Sequence, residues 1–144
     1  MREYQFKGNF LYYVRLVKRL YEDTLADAAR NCGLSLPEAD VLSFLRENPE
    51  FDTSRDIALY REVSRAYVSK AVELLVNRGY IEIERDKHDR RLQHLRITEK
   101  AGKATDILHK AQFSFYDKVT AGLSNEEVSA MLSAIEKCAA NLTG

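Results

Sequence analysis

A mainly α-helical chain with one small β-hairpin is the fold class that the sequence predicts, on three observations. Apolar residues recur at steps of three and four over most of the length. That spacing gives way to strict alternation in two short stretches, near Ile81 and near Leu95. Capping signals stand at the joints: Ser or Thr with an acidic residue three positions on, or glycine just after an apolar run.

The first helix is expected from Tyr4 to about Arg30, with Phe6, Phe10, Val14, Val17, Tyr21, Leu25 and Ala28 along one face and Gly33 ending it. Ser35, Pro37 and Glu38 then supply an N-cap, a first-turn proline and a capping box for a second helix from Leu36 to Asn48, stopped by Pro49. Thr53 is the cap of a third, two-turn helix, with Asp56 favouring its dipole. After a turn at Arg61 to Val63, a fourth helix runs from Ser64 to Arg78, with Val68, Ala71, Val72 and Leu75 on its inner side and Gly79 at its end. Ile81 to Glu84 and Leu95 to Thr98 read as antiparallel strands around the polar loop Asp86 to Arg91. Thr98 is the expected cap of a long fifth helix reaching about Gly122. A last helix, opened by the capping box Ser124 to Glu127, carries Val128, Met131, Leu132, Ile135, Cys138 and Leu142 on one stripe.

With 45% hydrophobic residues, 144 residues suffice for one well-cored domain and fall short of two ordinary ones. No apolar stretch approaches the ~20 residues needed to span a bilayer, and MREYQFKGNF lacks a secretory apolar core, so a soluble cytoplasmic protein without a membrane partner is expected. Cys32 and Cys138 form no ligand-like pattern with the three histidines, so no disulfide framework, metal or cofactor is expected. Glycine-rich phosphate loops, a serine nucleophile elbow and HExxH are all missing from the sequence, which argues against an enzyme. The overall charge is zero, but between Ser64 and Thr98 eight basic residues face five acidic ones, so that stretch is +3 and the remainder −3.

Two helices joined by a short turn, the second capped by serine, describe a helix-turn-helix, whose second helix can enter the major groove by its N-terminal end. Arg65, Ala66, Tyr67, Ser69 and Lys70 lie near that end: Arg65 can bond guanine bidentately, while Ser64 and the first amides can hold a phosphate. Arg55 on the third helix is counted with them. Lys87, His88, Arg90 and Arg91 cluster at the tip of the projecting loop, suited to the sugar-phosphate backbone or the adjacent minor groove. Asp89 at that tip is expected to pair with an arginine and fix the loop.

The runs SRAYVSK (64–70), LLVNRGYI (74–81), RDKHDRR (85–91) and LRITEK (95–100) together resemble the MarR (multiple antibiotic resistance) family of regulators. The resemblance implies a triangular homodimer with a winged helix-turn-helix at each lower corner. Residues 1–33 and 99–144 would supply the dimerisation helices and 34–98 the DNA-binding lobe, within a single domain spanning 1–144. Recognition falls on Ser64 to Lys70 and the wing on Lys87 to Arg91, with His88 at the third position of the family's wing pattern. Long apolar stripes on the first, fifth and sixth helices, more than a small winged helix can cover, argue independently for a dimer. Such a dimer would repress from a pseudo-palindromic duplex site, its recognition helices roughly 34 Å apart.

The resemblance also implies a small aromatic effector, for which Phe10, Tyr12, Tyr13 and Arg15 are the candidate crevice residues; core or interface packing of the same rings is the competing reading. Two further alternatives stand: a winged helix used only for protein contacts, which zero net charge allows, and a cysteine-based redox sensor. Cys32 does not match the position nearer the N-terminus that oxidation-sensing relatives use.

Overall fold

The computed structural model describes residues 9–143. Its elements follow the order α1 (Phe10–Asn31), α2 (Leu36–Glu47), α3 (Ser54–Arg61), α4 (Arg65–Asn77), β1 (Ile81–Arg85), β2 (Gln93–Ile97), a 3₁₀ turn (Glu99–Ala101), α5 (Gly102–Val119) and α6 (Asn125–Thr143). The mainly helical class with one hairpin is therefore correct. Tyr4 and Phe6, at the expected start of the first helix, lie outside the described residues. Among those described, no helix is long and apolar enough to cross a membrane.

Local chemistry sets most of the boundaries. Gly33 takes φ +70°, and the Leu34 amide reaches back to the Ala29 carbonyl at 2.9 Å, closing α1 with buried Leu34 beneath it. Ser35 and Glu38 form the reciprocal capping box of α2, which ends one residue earlier than expected because Asn48, directly before Pro49, leaves helical geometry at φ −130° and ψ 66°. Thr98 corrects an expectation. Its hydroxyl donates to the Gly79 carbonyl at 2.5 Å, tying the end of β2 to the end of α4, so α5 is reached through the 3₁₀ turn without a side-chain cap. That helix also stops at Val119, short of Gly122, where the Thr120 hydroxyl donates to the Tyr116 carbonyl. Ser124 and Glu127 cap α6 as expected.

The core gathers the C-terminal half of α1, the inner faces of α2 to α4, the hairpin root and the first half of α5: Leu25, Leu42, Phe44, Ile57, Val68, Leu75, Ile81, Leu95 and Leu108 are all buried. In β1 the alternation is only half realised. Ile81 is buried, whereas Ile83 is 44% exposed, although Leu95 opposite it on β2 is buried. A second tie holds the hairpin from the other side, the Leu95 amide donating to the Asp52 carbonyl at 2.8 Å. The front half of α1 and most of α6 remain uncovered. No α6 residue among those described is buried, and Leu132, Ile135 and Leu142 are 50%, 57% and 86% exposed.

Candidate nucleic-acid interface

The helix-turn-helix is built by three local devices. Thr53 and Asp56 cap α3 reciprocally, the Thr53 hydroxyl donating to Asp56 at 2.8 Å and accepting from the Asp56 amide at 3.2 Å. The sequence reading credited Asp56 only with its charge. Glu62 then breaks the helix in the left-handed region, at φ 52°, while the Val63 amide donates to the Ala58 carbonyl. The turn is accordingly Glu62 to Ser64, one residue later than expected. Ser64 opens α4 by accepting from the Tyr67 amide at 3.0 Å. Val68, Ala71, Val72 and Leu75 are buried beneath, which turns Ser64, Arg65, Ala66, Ser69 and Lys70 outward.

Arg55, Arg65, Ser69, Asp89 and Arg91 come together around one open groove of about 510 Å³, completed by Thr53, Ser54, Leu92 and Gln93. Three of its walls thus come from the start of α3, the start of α4 and the loop of the hairpin. Lys87, His88 and Arg90 stand exposed at the tip beyond it. Among the described residues Arg55, Arg65, Lys70, Lys87, Arg90 and Arg91 have no ion-pair partner, whereas Arg46, Arg61, Arg78 and Arg96 are each paired with a carboxylate. The first group can meet an incoming anion without breaking an internal contact.

Tyr67 lies elsewhere. It is half-buried against the core, and burial first, then the negative charge of Asp40, push its phenol pKa up. It is not among the residues lining the groove. Phe10, Tyr12, Tyr13 and Arg15 are exposed along the front of α1, where Tyr12 and Tyr13 touch at a centroid distance of 5.8 Å. A small aromatic-lined cavity of about 120 Å³ is found instead between α2 and α5, bounded by Glu47, His109, Gln112, Phe113 and Tyr116. Cys32 is half-buried, its thiol facing the Ala104 carbonyl and its pKa pushed up by burial.

The loop is held differently from expectation. Asp89 accepts the Arg91 backbone amide at 3.0 Å, and no ion pair with a guanidinium is formed among the described residues. The organiser is Asp86, which the sequence reading missed. One of its oxygens accepts the amides of His88 and Asp89 at 2.8 and 2.9 Å, and the other faces His94 at 2.8 Å. Those bonds hold its carboxyl pKa down to about 2, the contact with His94 contributing most. An aspartate opening a polar turn carries a local signal for such bonds. His94 carries none, because its second partner, Asp52, is 42 residues away in the chain.

The sequence model of the MarR family matches residues 33–92, the stretch from the end of α1 through the loop of the hairpin. A curated relative, the HTH-type transcriptional regulator BilQ of Clostridium symbiosum, is 24% identical over 128 residues, 89% of this chain and 88% of its own. A MarR-family transcriptional regulator from Silicibacter pomeroyi superposes with a TM-score of 0.82 at 21% identity, over 94% of this chain and 90% of that one. A putative MarR-family regulator from Listeria monocytogenes, solved with a 26mer DNA, superposes at 0.81 and 16% identity, over 99% and 90%. Residues 33–92 are thus similar in sequence to the MarR family, and the helix-turn-helix and hairpin just described share the fold of these MarR-family structures.

Proposed function

We propose that this protein is a transcriptional regulator that binds duplex DNA sequence-specifically as a homodimer, inserting the start of α4 into the major groove while the hairpin loop grips the neighbouring backbone. The observation that carries this reading is the groove in which Arg55, Arg65 and Arg91, without an ion-pair partner among the described residues, converge beside the Ser64-capped end of α4. A helix fits a groove about 12 Å wide, and its N-terminal amides favour phosphate. The Listeria relative solved with DNA is a precedent for the fold in that role. Arg65 and Ser69 are assigned to base edges, Arg55, Ser64, Lys70, Lys87, His88, Arg90 and Arg91 to phosphates or the minor groove, and Ala66 to a thymine methyl. Tyr67 is left with a supporting role at most, given its half-burial. Affinity measured against ionic strength is the test. A steep fall supports the reading, and specific binding indifferent to salt contradicts it.

The dimer is supported by the apolar surface left uncovered on α1, α5 and α6, where Val14, Phe113, Tyr116, Leu132 and Ile135 are all exposed. Residues 1–33 and 99–144 are assigned to that interface and 34–98 to the DNA lobe. A second copy would cover these residues and suit a pseudo-palindromic operator. A monomeric mass at micromolar concentration would refute it. Repression in the cytoplasm is the expected outcome of operator occupancy. A small aromatic effector preferring a dimer with the wrong helix separation would release the DNA by that preference alone. Phe10, Tyr12, Tyr13 and Arg15 are assigned to its crevice, and titration of aromatic carboxylates against the DNA-bound protein tests it. Release by none of them removes the effector from the account.

A further inference from the structure

His94 lies in β2, opposite Glu84 of β1, on the side of the hairpin facing the segment that leads into α3. Its Nδ1 is 2.7 Å from a carboxylate oxygen of Asp52, and its Nε2 is 2.8 Å from one of Asp86. A neutral imidazole has one N–H and one lone pair, so between two carboxylates it can make one hydrogen bond and must turn its lone pair toward the other oxygen. Only the imidazolium donates to both. We propose that protonated His94 is a positioning residue that clamps the hairpin loop to the foot of α3, and that loss of its proton loosens the loop and weakens DNA binding.

The connections run straight to the groove. Asp86 spends its other oxygen on the amides of His88 and Asp89, and Asp89 in turn holds the Arg91 amide, so the clamp fixes the stretch that carries the loop's cations. At its other end, Asp52 immediately precedes Thr53, the cap of α3, and its backbone carbonyl accepts from Leu95. His94 is not itself a phosphate ligand, because both ring nitrogens are engaged and only 24% of the side chain is exposed. Its influence on DNA would therefore act through position.

The charges around the ring favour the proton. Asp52, Asp86 and Glu84 face it against the guanidinium of Arg96, which bonds both Asp52 and Glu84 at 3.0 and 3.1 Å. On α2, Arg46 and Glu47 are turned to Asp106 and His109 on α5. The bonds to Asp86 and then Asp52 push the imidazole pKa above its ordinary value. A raised folded pKa means the clamp is complete below pH ~6.5 and lost as pH rises through the shifted value.

The proposal shares with the functional reading only its DNA half; the order of the loop belongs to the free protein. The experiment therefore follows His94 ring shifts and backbone ¹⁵N relaxation of residues 86–92 in free protein from about pH 6 to pH 9, alongside affinity for captured genomic DNA. Wild type, His94→Gln and Asp86→Asn are compared. In wild type, loop order is expected to fall as His94 titrates, with affinity dropping about tenfold, the worth of one charge-assisted hydrogen bond. His94→Gln should show a mobile loop and no such step, and Asp86→Asn should move the step to lower pH. An unshifted His94 pKa, or the same profile of loop order in wild type and His94→Gln, overturns the clamp. Should no DNA bind at any pH, the functional reading falls while loop order still decides the clamp.

Discussion

Replacing Arg78 by methionine should destabilise the fold far more than an exposed arginine would suggest, because of what it leaves behind. Glu38 is only 2% exposed. One of its oxygens accepts from the amide and hydroxyl of Ser35 at 3.1 and 2.9 Å, and the other accepts from Arg78 Nε at 2.5 Å. Burial by itself would raise this carboxyl pKa, but the hydrogen bonds from Arg78 and Ser35 outweigh it and the net shift is downward. Removing one partner of an enclosed ion pair costs about 3–5 kcal/mol. Arg78 is 42% exposed, so water can reach the abandoned carboxylate, and about 2–3 kcal/mol is the better expectation. Methionine keeps the packing of the stem and isolates the charge. Glu38→Gln, which keeps an acceptor for Ser35, should lose about 1–2 kcal/mol. The double replacement Glu38→Met with Arg78→Met should cost at least about 1 kcal/mol less than the sum of its singles.

The assay is urea unfolding at a fixed chain concentration, since the stability of the proposed homodimer would depend on it. A pH series gives a second readout. With its folded pKa below the unfolded ~4.3, Glu38 contributes stability above that value and loses it as pH falls through the lowered one. Glu38→Gln should flatten that acid limb. An Arg78→Met protein within about 0.5 kcal/mol of wild type, or strictly additive singles, would refute the reasoning.

Arg91→Ala should weaken binding to all duplexes about equally and reduce the salt slope by about 1 per protomer, whereas Arg65→Ala should also relax base preference by about 1–3 kcal/mol; binding curves on two sequences at two salt concentrations separate the cases. Leu75→Ala, at a fully buried position of α4, should cost about 2–5 kcal/mol in the same urea assay without altering the salt slope. Cys32, its thiol kept protonated by burial, should leave DNA binding unchanged under peroxide, so Cys32→Ser and wild type should give superimposable curves. In acid, the amide shifts of His88 and Asp89 should hold down to about pH 2 and then move together with the Asp86 carboxyl.

The elements announced themselves wherever their determinants are close in sequence. Ser35 with Glu38, Thr53, Ser64, and Ser124 with Glu127 marked four helix starts because a cap and its amide are three residues apart. Thr98 misled for the complementary reason: its hydroxyl found Gly79, 19 residues back. At the candidate site, Arg55, Arg65 and Arg91 could be named from charge and position, but that they share a groove depends on the hairpin folding over α3. Tyr67 looked outward by helical proximity to Arg65, yet it falls one residue before buried Val68 and shares part of that face's burial. The His94 clamp was invisible, since no local pattern links residue 94 to residue 52.

Capturing genomic fragments with wild-type protein and with Arg65→Ala, side by side, bears most directly on the claim that α4 reads base pairs from a paired framework. The account expects one recurrent pseudo-palindrome with half-sites about one helical turn apart, enriched by wild type and blurred by the variant. Equal enrichment of the same motif by both proteins, or no motif at all, would contradict it.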